Sequence, residues 1–344
     1  MDLDQRQPFT PPDDTAPLPP DPYSLPDGGD VTQHTAVRLI LILSENSTLV
    51  PPRDLRALVK IAVGAEEAGF DAVMVSEHVA LGPGADSAGL PENPRDYALP
   101  FNQDPRTPWP DSLLLLSAVA AATTSLRLVA GAVIPPLRHP VLMAKQLATL
   151  DLLSEGRLVV QPTVSWLRSE YDALGVPFEL RGELLDEHLA AWRTLWRDSP
   201  ATFHGRHYSF DDVYLEPKPL RPAGPPLWFG SSSMHPPILR RLVEYGSGFN
   251  PLGRASAEDL DSLSRALQAH GRAIEDLELV GGTRGLFPGP DDVADLDQAL
   301  ASVPEQVARG FRSICIKPSQ FIDDTAEIPS FCRAVVERVE RLTR

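Results

Sequence analysis

Gly69-Phe70-Asp71-Ala72-Val73-Met74-Val75-Ser76-Glu77-His78 is the stretch on which the fold turns. Its centre, Ala72 to Val75, is a short apolar run that stops abruptly at three polar residues. A continuous run rather than an alternating one is the pattern of a parallel strand covered on both faces. In such folds ligands gather at the carboxyl ends of the strands, where loops carry chemistry without disturbing the core. Ser76, Glu77 and His78 sit at that end, which makes His78 the first functional candidate. A histidine that merely caps or fills the mouth of the fold is the alternative this segment leaves open.

Working outward, Val37 to Leu43 reads as a first strand. Arg53 to Ala68 carries apolar residues at helical spacing (Leu55, Leu58, Val59, Ala62, Val63, Ala65) and stops at Gly69. Strand, helix and strand at this spacing form a right-handed parallel crossover. From Leu81 to Pro110 runs a long segment rich in Gly, Pro, Asp and Asn, either a lid over the strand ends or a surface insertion. Tyr97, Phe101 and Trp109 would supply its apolar inner side. The pattern then repeats: helix Ser112–Thr123, strand Leu126–Ile134, helix Pro140–Leu153 and strand Leu158–Gln161. Helices follow around Arg168–Leu174 and Leu184–Trp196, then a hairpin-like excursion between Phe203 and Leu215. Strand Leu227–Gly230, helix Pro236–Tyr245 and three further strand–helix units complete the chain. About eight such units over residues 36–344 match an α/β TIM (β/α)8 barrel with insertions. A doubly wound open sheet would need a Gly-rich first turn that is missing here. Residues 1–35 are of a different material, prolines alternating with acidic and small residues, and read as an extended or disordered arm.

The bulk composition narrows the partners. Across 344 residues, 31 basic and 47 acidic side chains leave a formal charge of −16. That balance argues against nucleic acid and anionic membranes, which need basic patches. No apolar run approaches the roughly 20 residues of a membrane span, and no basic-then-apolar leader opens the chain, so a cytoplasmic location is expected. Two isolated cysteines, Cys315 and Cys332, suit buried packing in a reducing compartment. No metal-ligand spacing occurs.

The other strand ends supply the rest of the candidate site. The third offers Gly131-Ala132-Val133, then Arg138-His139-Pro140; the fourth offers Gln161-Pro162-Thr163-Val164-Ser165-Trp166. Gly230-Ser231-Ser232-Ser233 runs straight into a helix beginning at Pro236. Small residues feeding a helix N-terminus present N–H groups to an anion such as a phosphate, although serine is also an ordinary N-cap. His204 and His207 fall in the expected surface hairpin, and His188 falls in mid-helix as a surface or packing residue. There is no Gly-x-Ser-x-Gly elbow, no P-loop and no His-Glu-x-x-His pair. A barrel with a phosphate grip, one histidine and no nucleophile or metal points to a bound cofactor that carries the reaction.

With these landmarks the chain from about residue 37 onwards resembles the bacterial luciferase-like monooxygenase superfamily, and within it the branch that uses coenzyme F420. The resemblance rests on Ala65-Glu66-Glu67-Ala68-Gly69-Phe70-Asp71, Ser76-Glu77-His78, Ala122-Thr123-Thr124-Ser125-Leu126-Arg127-Leu128 and Arg138-His139-Pro140. It continues through Ala148 to Leu158, Ala173-Leu174-Gly175-Val176, Pro217-Lys218-Pro219, Pro225 to Gly230 and Gly248 to Gly253, in order and at family spacing.

The resemblance implies a barrel that holds a deazaflavin (F420) or FMN at the strand ends. His78 matches the histidine near the ring's redox centre, with Glu77 beside it. Gly131 and Ala132 match an often cis peptide bulge behind the ring, and Gly230-Ser231, with Ser232, match the turn beside the cofactor phosphate. Gln161 and Thr163 would line the cofactor, and Leu81, Trp109 and Trp166 the substrate. A helix-mediated homodimer is usual in the family. Two departures stand out. Gln161, Thr163 and Ser165 replace a Gly-x-Gly-x-Gly turn, so side chains narrow the gap there. The carboxylate that some relatives carry near Trp166 is expected to be missing. The leading expectation is an F420-dependent oxidoreductase acting on a small organic substrate. The alternatives are an FMN-dependent monooxygenase and a barrel that has lost its redox chemistry.

Overall fold

Alternation along each strand decides which side chains fill the barrel and which face the helices. In β1 (Arg38–Ile42), Ile40 and Ile42 join an inner cluster with Ala72, Met74, Val129 and Trp228, whereas Leu39 and Leu41 belong to the outer core under the helices. Successive strand side chains point to opposite faces. Both faces are buried here, which is why the strands read as unbroken apolar runs.

The computed structural model describes residues 37–251 and 253–344; the expected N-terminal arm lies outside the described residues. After β1 come α1 (Leu55–Glu67), β2 (Ala72–Val75), α2 (Ser112–Ala122), β3 (Arg127–Val133) and α3 (Pro140–Leu153). Next are β4 (Leu158–Pro162), the short α4 (Arg168–Ala173) and α5 (Arg181–Arg197). Strands β5 (Ala201–His204) and β6 (Ser209–Val213) pair antiparallel as a separate hairpin. The chain then returns to the barrel with β7 (Leu227–Phe229), α6 (Pro236–Tyr245), β8 (Gly246–Phe249) and α7 (Ala257–Gln268). It closes with β9 (Glu278–Gly282), α8 (Leu296–Leu300), α9 (Val303–Ala308), β10 (Ser313–Ile316) and α10 (Ile328–Thr343). The eight parallel strands form a closed barrel in the order β1-β10-β9-β8-β7-β4-β3-β2, a TIM barrel.

Local chemistry sets the boundaries that matter for the site. Asp111 caps α2 by accepting the Leu114 N–H at 2.9 Å, which stops the long segment after β2 at a fixed point. Proline at the first helical position starts α3 and α6 where the sequence places them. Helix α8 escapes the sequence reading because it has only five residues, capped by Asp295 through the Gln298 N–H.

At the amino end of the barrel, Arg127 binds both carboxylate oxygens of Glu278 at 2.8 Å, with Arg38 3.2 Å away. Burial alone would raise the Glu278 carboxyl, but the hydrogen bonds and charge of Arg127 hold it below its ordinary value. This end is a closed ionic plug, so the chemistry belongs at the other. Cys315 inside the barrel and Cys332 in α10 are free and buried, and burial pushes each thiol up to about 12. Among the described residues no helix is long and apolar enough to cross a membrane, and no cluster of potential metal ligands occurs.

Candidate active site

Three residues at the end of β2 take three different parts. Ser76 ties β2 to the end of β1, its hydroxyl 2.7 Å from the Ser44 hydroxyl and 3.3 Å from the Glu45 carboxylate. Glu77 is buried, and its carboxylate accepts four hydrogen bonds: Arg138 Nη1 at 2.6 Å, Arg138 Nη2 at 2.9 Å, the Ile134 N–H at 2.9 Å and the Ser112 hydroxyl at 3.0 Å. Burial works against the Arg138 charge, yet the hydrogen bonds and charge of Glu77 hold its guanidinium above the ordinary value. Both Glu77 oxygens are therefore committed to joining the ends of β2 and β3 to the start of α2. His78 is the residue left facing the mouth, 9% exposed.

An aromatic recess surrounds His78. Its ring stands edge-on to Trp109 (centroids 5.2 Å apart) and Trp166 (5.6 Å), and Phe101 packs on Trp166 at 4.8 Å. Behind it lies a carboxylate, contrary to the expectation that none stands near Trp166. Glu170, fully buried in α4, places Oε2 3.3 Å from His78 Nδ1. It also accepts the Val79 and Ala80 N–H groups and the Ser165 hydroxyl. Sequence reasoning missed it because the two partners are 92 residues apart. The available signal was a carboxylate one helical turn after Trp166 on a segment that starts a helix.

The segment after His78 is a lid pinned to the far side of the mouth. Its first residues lie on α4: a Cβ at Gly82, next to Leu81, would meet the Ser169 hydroxyl at 2.5 Å. Further along, Asn93 donates to the carbonyls of Gly289 and Asp292, and the Tyr97 hydroxyl donates to that of Thr283. Tyr97 packs on the inner cluster of the barrel, and burial drives its hydroxyl far above the ordinary phenol range. Lys317, at the end of β10, donates to the Asp96 carbonyl at 2.8 Å and lies 3.8 Å from Glu45. Burial pushes its ammonium down against the pull of Glu45 and Asp96.

Gly131 and Ala132 are joined by a cis peptide where the β3–β4 register shifts, and the Ala132 carbonyl accepts the Glu77 N–H at 3.1 Å. Gln161 pairs with Gly131 in that register, and its side chain reaches across the barrel top. A Cβ on Gly131 would stand 3.4 Å from Gln161 Oε1, and one on Gly230 would stand 2.9 Å from Nε2 and 2.6 Å from the Asn250 carbonyl. Asn250 donates to Gln161 Oε1 at 2.9 Å. The amide thus floors the mouth between Gly131 and Gly230. Thr163 is half-buried, its N–H donated to the Val133 carbonyl at 2.8 Å. Ser165 keeps a glycine-like left-handed backbone, φ 58°, although it carries a side chain.

After Gly230 the serine turn is more exposed. The Ser231 hydroxyl donates to the Ser233 carbonyl at 2.7 Å, and Ser232 is exposed. Asp259 accepts the Met234 N–H at 3.0 Å, and Pro236 and Pro237 remove two donors from the start of α6. An anion here would meet the turn's own N–H groups rather than those of the helix. His204, His207 and His188 take no part in the mouth. The first two pair with Asp211 and Glu183 on the hairpin side, and His188 is a core residue between the Leu184 and Arg138 carbonyls.

Aromatic surface and one orphaned donor meet beside His78. Trp109 Nε1 is buried without a hydrogen-bond partner among the described residues, an unspent donor beside His78 in an otherwise aromatic wall. A flat group with carbonyl edges satisfies both features.

Comparison with known proteins agrees with this architecture. The chain is 32% identical over 221 residues to the FMNH2-dependent dimethylsulfone monooxygenase of Pseudomonas putida, covering 63% of this chain and 54% of the relative. The chain thus spans about half the length of the curated relatives it matches. Two solved structures superpose with a TM-score of 0.64, covering 88% of this chain and 99% of their own. They are monooxygenase RslO1 from Streptomyces bottropensis, at 21% identity, and the coenzyme F420-dependent tetrahydromethanopterin reductase from Methanopyrus kandleri, at 13%. The family model described as luciferase-like monooxygenase matches residues 38–329, and the chain belongs to that family.

Proposed function

We propose that the protein is a coenzyme F420-dependent oxidoreductase that moves a hydride between the deazaflavin and a small organic substrate, with His78 handling the proton. The observation that carries this reading is the imidazole at the end of β2, backed by Glu170 and walled by Trp109 and Trp166. When bound, the deazaflavin supplies a two-electron hydride donor or acceptor.

The chain's own side chains supply the rest. Trp109 and Trp166 would offer apolar aromatic surface, with the exposed Phe101 packed on Trp166 at its rim. Trp109 Nε1, without a partner among the described residues, would donate to a carbonyl edge. Gly131 and Ala132 would back the ring, Gln161 and Thr163 would line its border, and the N–H groups of Gly230, Ser231 and Ser232 would hold the phosphate end. Glu77 serves by fixing the strand end that carries His78. Substrate lies against Leu81, Trp109 and Trp166 beneath the lid. His78 would accept the proton of a substrate hydroxyl and return it in the reverse direction.

Reduced FMN is the second reading, favoured by the identity to the dimethylsulfone monooxygenase. Fluorescence titration of the purified protein with each cofactor separates the two. Saturable binding of F420 is expected. Binding of FMN alone would overturn the deazaflavin reading, and binding of neither would remove the redox reading altogether.

A further inference from the structure

We infer that Glu170 is the positioning residue of His78, holding the imidazole hydrogen on Nδ1 and leaving Nε2 as the nitrogen that exchanges a proton with substrate. This deepens the reading above and rests on it for the reaction, while the tautomer itself is a property of the protein alone.

The assignment follows from who donates to the carboxylate. Glu170 Oε1 accepts the N–H groups of Val79 and Ala80, the two residues directly after His78. Oε2 accepts the Ser165 hydroxyl at 3.1 Å and faces His78 Nδ1 at 3.3 Å. Two peptide N–H groups and a hydroxyl converge on a fully buried carboxylate. The group is an acceptor on every side, so the nitrogen facing it carries the hydrogen. A neutral imidazole then presents its lone pair at Nε2, and the carboxylate behind it stabilises the imidazolium formed when Nε2 takes a proton.

The local backbone is arranged around this contact. Ser165 has a left-handed φ of 58° and spends its hydroxyl on Glu170. Tyr171, the next residue of α4, donates its hydroxyl to the Val164 carbonyl and fixes the helix on the same turn. One carboxylate thereby joins the loop after β2 to the loop after β4 and sets the ring between them.

The test reads the tautomer in the cofactor-free protein. Protein labelled with 15N-histidine is examined by long-range 1H–15N correlation at neutral pH, with the His78 signals assigned by their loss in His78→Ala. The wild type is expected to show the Nδ1–H form. In Glu170→Gln the amide oxygen keeps the Val79 and Ala80 contacts and the NH2 turns to Nδ1, so the hydrogen is expected on Nε2. Turnover of that variant is expected to fall by about 10³–10⁴-fold, mainly in kcat, the size of a wrong-tautomer effect in a carboxylate–histidine pair. An Nε2–H form in the wild type, or an unchanged Nδ1–H form in Glu170→Gln, would overturn the assignment. The wild-type spectrum decides even where the variant does not fold. Loss of cofactor binding in the titration above would instead strike the redox reading and leave this measurement standing.

Discussion

Replacing His78 with alanine is expected to lower turnover by about 10²–10⁴-fold, the usual contribution of a general acid or base, with little change in cofactor affinity. The asymmetry follows from the recess. On the proposed reading His78 adds a single small ring, whereas the contact area for a planar cofactor would come from Trp109, Trp166 and the backbone around Gly131 and Gly230. Steady-state kinetics and a binding titration on the same preparation check both halves. Unchanged turnover would remove His78 from the chemistry. A parallel loss of affinity and turnover would make it a binding residue instead.

The largest expected effect on stability lies one residue away. Glu77 has a side chain 1% exposed and relies on Arg138 for two of its four hydrogen bonds and for its charge partner. Arg138→Met leaves that carboxylate buried and uncompensated. Breaking one side of a buried pair costs about 3–5 kcal/mol, a large share of the roughly 5–15 kcal/mol that holds a typical domain together. Urea unfolding should show the loss, and the double variant Glu77→Gln with Arg138→Met should recover much of it. A change below about 1 kcal/mol, the range of an exposed pair, would mean that the pair is solvated and does not set the strand end.

Most of the fold could be read from the chain because its devices are local. Ala72–Val75 is apolar at every position since both faces of β2 are buried, and Pro140 and Pro236 mark the first turns of α3 and α6. The site was legible only where it lies next to such a device. His78 follows a strand, and Gly131-Ala132 falls at a register shift. Glu170 was hidden because its meaning depends on a partner 92 residues away. Gln161 was visible as a departure from glycine, but nothing local says that its amide crosses the mouth to Asn250. For Ser165 the change of residue was plain, while the left-handed backbone and the hydroxyl's hold on Glu170 come from tertiary contacts. Lys317 gave no signal, since an ordinary lysine becomes a buried one only when Asp96 and Tyr97 of the lid close over it.

The central claim is that a planar redox cofactor lies in the recess at His78. A crystal structure of the protein grown with saturating F420, and with FMN in parallel, tests it most directly. The ring is expected against Trp109 and Trp166, with its redox edge in contact with His78 and its phosphate at Gly230-Ser231. A mouth that stays closed by the Gln161–Asn250 pair, or a ring bound anywhere else, would contradict it.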